Sequence, residues 1–229
     1  MTWTTDTMRV EYAQYYLCGP DFGSDPYDTL RRVREGNTVA AGGPEHLTVI
    51  CGTNTGNIRL TVEVRDDPPA GSEPSWETAV DVSICSVSGK LGLEGWGGAG
   101  RPDAGNLAQA GSGWYRIRIE TRGRDRGRER NSVGTWVEEH RLTIWPAPPE
   151  SDRVHRIGDE LGRHRYDPQR PPLEPIRPAE PSPGPGESAD DAIRAWAGHT
   201  GLELGDTDPI PSFIREAARL AGVPGPGNA

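Results

Sequence analysis

The chain has 229 residues, enough for one or two domains, and a formal charge of −9. That acidic balance gives no overall electrostatic footprint for nucleic acid. Apolar residues make up only 33%, against 30 glycines and 22 prolines, so the part that folds is shorter than the chain. The charge is spread unevenly: residues 1–150 carry 16 basic and 21 acidic side chains, residues 151–186 six of each, and residues 187–229 three basic and seven acidic.

Three cysteines, Cys18, Cys51 and Cys85, lie in apolar runs without CxxC spacing, which predicts buried thiols and no disulfide framework. The first residues have neither a basic nor an apolar leader region, and no stretch approaches the roughly 18 apolar residues of a membrane span. A cytoplasmic protein is expected.

Residues 1–150 read as a β-domain. Candidate strands run from Met8 to Leu17 and from His46 to Cys51. In Ile58-Arg-Leu-Thr-Val-Glu-Val-Arg65 the apolar positions 58, 60, 62 and 64 alternate with polar ones, which sets one face on a core and the other in water. The same alternation recurs at Val80, Val82 and Ile84, at Ile117 and Ile119, and at Leu142 and Ile144. It predicts that Arg116, Arg118 and Glu120 point to solvent. Turn signals separate these runs at Gly42-Gly43-Pro44, Asn54-Thr-Gly56 and Asp66-Asp-Pro-Pro69. Short strands at regular spacing predict a mainly β fold, an antiparallel β-sandwich. The stretch Gly92 to Gly113, with eight glycines, is expected as a long loop or a broken strand.

The strands end at Trp145-Pro-Ala-Pro-Pro149, since proline cannot donate to a ladder. Residues 151–186 are rich in arginine and proline and are expected to form an extended linker, with a short helix over Val154 to Leu161 as a further reading. Residues 187–229 then read as a small two-helix domain. Ser188 fits a helix cap ahead of Asp190 and Asp191, Ile193, Trp196 and Ala197 have helical spacing, and Gly201 closes the first helix. Pro211 opens a second with Phe213, Ile214, Ala217 and Leu220, closed by Gly222. Its expected core is Ile193, Trp196, Leu202, Leu204, Ile210, Ile214 and Leu220.

Ile193-Arg-Ala-Trp-Ala197, Gly201-Leu-Glu-Leu204, Ile210-Pro211 and Ile214-Arg-Glu-Ala217 resemble the DNA-binding domain of the Lsr-type silencers, nucleoid-associated proteins of actinobacteria. In that family an Arg-Gly-Arg loop ahead of Ile-Pro enters the minor groove of AT-rich DNA. This chain has Asp206-Thr-Asp208 there, which repels phosphate, so the resemblance implies the scaffold more than the groove contact. It places Arg194 and Arg215 among candidate DNA-binding residues. A second cationic run, Arg122-Gly-Arg-Asp-Arg-Gly-Arg-Glu-Arg130, contains two Arg-Gly-Arg tripeptides and adds Arg122, Arg124, Arg126 and Arg128. Its bland alternative is a solvated hairpin tip. Val10-Glu-Tyr-Ala-Gln-Tyr-Tyr16, Gly113-Trp-Tyr-Arg-Ile-Arg-Ile119 and Leu142-Thr-Ile-Trp145 resemble the competence protein J family, which includes a β-rich inhibitor of a DNA-degrading nuclease. That resemblance implies an acidic surface that mimics DNA.

No H-E-x-x-H, paired Cys/His spacing, nucleophile elbow, P-loop or strand-linked G-x-G-x-x-G occurs. The five histidines read as surface or capped residues, and Trp76, Trp114 and Trp145 as core fillers. No metal, cofactor, small-molecule substrate or catalytic residue is expected. The leading expectation is a non-enzymatic, DNA-associated accessory protein whose β-domain binds a partner, DNA and a nucleoid protein being the candidate partners. The alternative is an immunity or nuclease-inhibitor protein acting through the acidic β-domain on a nuclease.

Overall fold

The computed structural model describes residues 1–20, 26–98, 103–178, 189–200, 209–221 and 223. Its packing divides the chain into two compact units, Met1–Ile176 and Arg177–Ala229. Among the described residues, no helix is long and apolar enough to cross a membrane.

The first unit holds two sheets. The larger has the strand order β1-β5-β10-β8-β6-β11, built from β1 (Thr2–Val10), β5 (Thr55–Val64), β10 (Glu139–Pro146), β8 (Gly113–Arg122), β6 (Thr78–Ser86) and β11 (Arg153–Ile157). A two-residue strand, β9 (Ser132–Val133), pairs with the start of β5. The smaller sheet has the order β3-β4-β2-β7, from β3 (Ala40–Gly43), β4 (His46–Ile50), β2 (Gln14–Cys18) and β7 (Gly92–Gly95). The mainly β expectation holds. Strictly antiparallel pairing does not: β10 lies parallel to β5, with Leu142 opposite Val62, and β9 is also parallel to β5. Two strands so far apart in sequence are not linked by a hairpin, so no turn fixes their relative direction.

Both sheets contribute to one core. Ile58, Leu60, Val62, Val82, Ile84, Ile117, Ile119, Leu142 and Ile144 from the larger sheet cluster with Tyr15, Leu17, Leu47, Val49 and Leu93 from the smaller. These are the period-two positions of the sequence. Cys18, Cys51 and Cys85 are buried and form no disulfide, as their apolar surroundings predict. The candidate run Met8 to Leu17 is two strands, not one. The chain turns at Tyr12 and Ala13, with φ of 54° and 57°, and passes from the larger sheet to the smaller.

Arg116, Arg118 and Glu120 do not face water. All three are buried, because residues 66–77 and 147–152 lie over the outer face of the larger sheet, which β11 extends beside β6. Arg118 makes a two-pronged bond to Asp81 at 2.8 and 3.0 Å, and His155 reaches the same carboxylate at 2.9 Å. Burial raises the pKa of Asp81, but these bonds outweigh it and leave the carboxyl below its usual range. Arg141 bonds Glu120 and Glu73, and the Trp76 ring has Arg122 and Arg141 at 5.0 and 5.1 Å. Alternating polar residues thus mark a second interface here, closed by charge pairing.

Three helices escaped the strand reading. The helix α1 (Pro26–Glu35) starts on a proline, and its Thr29 and Val33 are buried, with Thr29 Oγ1 2.7 Å from Thr48 Oγ1 on β4. The Arg-Gly-Arg run is not a hairpin tip: it forms α2 (Arg124–Arg130). Residues 151–176 are not a free linker. They carry β11, paired antiparallel with β6, then α3 (Glu160–Arg163), and they belong to the first unit. The helix expected over Val154 to Leu161 is instead most of that strand, with only Glu160 and Leu161 falling in α3. The Gly-rich stretch gives β7 and a short 3-10 turn, Trp96–Gly98.

The second unit contains α4 (Ala189–His199) and α5 (Ser212–Leu220). Ile193, Ala197, Ile210, Ile214, Ala218 and Val223 form its core, with Trp196 packed against them. Ala218 takes the place expected for Ala217, and Phe213 is 67% exposed, so the buried stripe of α5 is narrower than its apolar set. Ser188, Gly201, Leu202, Leu204, Asp206-Thr-Asp208 and Gly222 lie outside the described residues.

Candidate functional site

One end of the β-domain forms a cleft of about 540 Å³ between α1, the turn between β1 and β2, the residues after β4, α2 and α3. Among the described residues four arginines line it, Arg34, Arg124, Arg128 and Arg165, and no aspartate, glutamate or lysine does. Arg34, Arg128 and Arg165 are exposed and form no salt bridge among the described residues. Arg124 is different: it is wholly buried, bonds both oxygens of Asp159 at 3.2 Å, and donates to the Thr38 carbonyl at 3.0 Å. It is the floor of the cleft and not a free cation.

The rim carries two exposed rings, Tyr12 and Trp96, whose centroids are 4.7 Å apart. Tyr12 occupies the left-handed region, where a side chain costs about 1 kcal/mol relative to glycine. A turn with two consecutive positive φ values ordinarily takes Asn-Gly. Holding a tyrosine there places a large ring at the mouth of the cleft, a strained choice of the kind found at functional sites.

Beneath the cleft lies a buried polar cluster. Glu138 accepts hydrogen bonds from the Gly52 and Thr53 amides at 2.9 and 2.7 Å, and its Oε1 lies 2.8 Å from His140 Nε2. His140 Nδ1 meets the Tyr15 hydroxyl at 3.1 Å. The polar atoms of Cys51, Glu138 and His140 lie within 4.8 Å of one another. Two glycines make the packing possible. A Cβ on Gly52 would sit 1.7 Å from the Arg124 carbonyl oxygen, and one on Gly127 2.5 Å from Glu138 Oε2. Burial pushes the Cys51 thiol well up, and the neighbouring Glu138 carboxylate adds to it. Burial also pushes Glu138 up, but the bond from His140 and the two backbone amides leave it below the usual carboxylate range. The protonated thiol and tied imidazole suit a structural or ligating role better than nucleophilic attack.

The residues named from sequence are dispersed. Arg122 bonds Glu139 at 2.5 and 2.9 Å, and Arg124 is the buried floor of the cleft. Arg126 and Arg128 are exposed on α2, and Arg128 alone of the four is an exposed part of the cleft. Arg215 is tied to Asp190 at 2.6 and 3.0 Å, joining α5 to α4, and Arg194 is half-buried on α4. His46 and His140 are wholly buried and hydrogen-bonded, so of the two readings, surface or capped, the surface one does not hold for them. Tyr12, Arg34, Trp96, Arg165 and the Cys51–Glu138–His140 cluster carry no motif. Tyr12-Ala13 lacks the Asn-Gly that ordinarily marks such a turn, so the sequence does not flag it.

No protein family matches the chain, and no curated protein matches it in sequence. Two solved structures are similar. One is described as crocagin biosynthetic gene J, 14% identical, covering 65% of this chain and 98% of that one, with a TM-score of 0.40. The other is ComJ from Bacillus subtilis, described as an inhibitor of the DNA-degrading activity of NucA, 13% identical, covering 64% of this chain and 99% of that one, with a TM-score of 0.42. At these scores neither supplies a residue or a partner.

Proposed function

We propose that the chain is a non-enzymatic binding protein of the inhibitor type, whose β-domain takes an acidic segment of a partner protein into the arginine-lined cleft. The observation that carries this reading is a charge inversion. Residues 1–176 hold 21 basic and 26 acidic side chains, yet among the described residues the cleft is lined by arginine alone of the charged types. Tyrosine, tryptophan and arginine are also the residues that dominate the energy of protein interfaces, while lysine, aspartate and glutamate are depleted there. A DNA-degrading nuclease fits the inverted pattern best. Its active site holds metal ions on carboxylates, and basic groups around it receive phosphate. The cleft arginines complement the former, and the net negative charge of residues 1–176 complements the latter.

Arginine beside aromatic rings is also the chemistry of single-stranded nucleic-acid grooves, so Arg128 in the cleft supports direct DNA contact as a second reading. Fluorescence anisotropy of the full chain separates the two, using a labelled acidic peptide and a labelled single-stranded oligodeoxynucleotide at low and high salt. We expect salt-sensitive peptide binding that is lost when Arg34, Arg128 and Arg165 are changed together to alanine. Binding of the oligonucleotide alone would put the DNA reading in its place. No binding, or equal binding by the triple variant, sinks the cleft as the site. With the cleft established, the full chain should slow DNA cleavage by its cognate nuclease and the triple variant should not.

A further inference from the structure

We propose that Cys51, Glu138 and His140 form a zinc site, a binding site that goes beyond the partner-binding reading and does not depend on it. The three side chains come from two segments: Cys51 follows β4, and Glu138 and His140 flank the start of β10. All three are buried, and their sulfur, oxygen and nitrogen atoms lie within 4.8 Å of one another. A thiolate, an imidazole and a carboxylate are the donors zinc takes, and three protein ligands with a fourth position left open is its catalytic-type arrangement. The supporting contacts match what a metal-binding histidine and carboxylate require. His140 presents Nε2 to the cluster while Nδ1 is fixed by the Tyr15 hydroxyl at 3.1 Å. The Gly52 and Thr53 amides hold the Glu138 carboxylate in place.

The proton bookkeeping is simple. The metal takes the place at His140 Nε2 of the imidazole proton, which moves to Nδ1 and is donated to the Tyr15 hydroxyl, and it displaces the Cys51 thiol proton, so one proton leaves as one dication enters. The dication then balances one carboxylate and one thiolate, and the buried cluster becomes neutral. Cys51 and Gly52 also line the cleft, which puts the thiol side of the site next to an opening. Cys18 and Cys85 have no such grouping among the described residues.

The test uses the full chain, stripped with a chelator and titrated with cobalt(II) and zinc(II). We expect one cobalt per chain, absorption bands of a tetrahedral ion and a thiolate-to-cobalt charge-transfer band. The band should survive Cys18→Ser and Cys85→Ser and vanish in Cys51→Ser. Tyr15→Phe keeps all three ligands and should weaken zinc binding on the order of tenfold by freeing the imidazole. If Cys51→Ser does not fold, the bands of the unaltered chain and of the Cys18 and Cys85 variants still decide. Absence of stoichiometric binding, a spectrum without a thiolate band, or a band abolished by Cys18→Ser or Cys85→Ser overturns the site.

Discussion

Arg124 and Asp159 form an ion pair with no solvent exposure on either side chain, and it joins α2 to the residue that caps α3. Asp159 also accepts the Gly162 amide at 2.7 Å, so one carboxylate holds the cap and the arginine together. Removing one partner of such a pair leaves an uncompensated buried charge. Arg124→Ala should therefore destabilise the β-domain by about 3–5 kcal/mol, read as a shifted urea midpoint. The double change with Asp159→Ala should cost less than the sum of the single changes. Simple additivity in that cycle would mean the two groups are not coupled.

Asp152 gives stability a pH dependence. Burial is the main reason its carboxyl is pushed up to about 7, although Asn37 donates to it at 2.7 Å and Arg116 and Arg32 pull the other way. Glu174 adds to the upward push. The folded chain thus keeps a proton that the unfolded chain has already released. Its contribution is complete below about pH 4 and is lost as pH rises through about 7. Asp152→Asn should leave stability near pH 4 almost unchanged and raise it near pH 8 by roughly 1 kcal/mol, because the site is only half-buried. Thermal unfolding at both pH values measures it, and an equal effect at both refutes the assignment.

The turn at Tyr12 and Ala13 sets stability against binding. Replacing the pair with Asn-Gly removes two unfavourable backbone conformations and should stabilise the domain by about 0.5–2 kcal/mol. The same change deletes the ring that meets Trp96, so affinity for the acidic peptide should fall. A variant that gains stability and keeps full affinity would show that the ring has no part in the cleft's work.

The two units should unfold separately. Ile214 is buried in the small core of the second unit, and Ile214→Ala should cost about 2–4 kcal/mol, more than a unit of that size can spare. Far-ultraviolet helical signal should drop while the main transition of residues 1–176 keeps its midpoint. A lowered main transition would mean that the units stabilise each other.

The strands were legible because burial on one face writes itself into the sequence with period two, as at Ile58, Leu60, Val62 and Val64. The other face was misread at Arg116, Arg118 and Glu120, since polarity alone does not tell a solvated face from one closed by ion pairs. The helix α2 hid inside an Arg-Gly run because its first residue, Arg124, is buried by a carboxylate 35 positions away. The cleft was invisible for a related reason: Tyr12, Arg34, Cys51, Trp96, Arg128 and Arg165 come from six separate segments. Only the fold brings them together, and no local spacing records it. The same holds for Cys51 beside Glu138 and His140.

The parallel pairing of β5 with β10 has a consequence for how the chain comes into being. The middle of the larger sheet cannot close until residues 139–146 exist, about eighty positions after their partners on β5. During synthesis β1 and β5 can zip together early, but the far edge of β5 stays bare while the next segments emerge. An unpaired, apolar strand edge held open that long is a template for other chains. Slow translation, or truncation ahead of β10, is therefore where this protein is most exposed to aggregation.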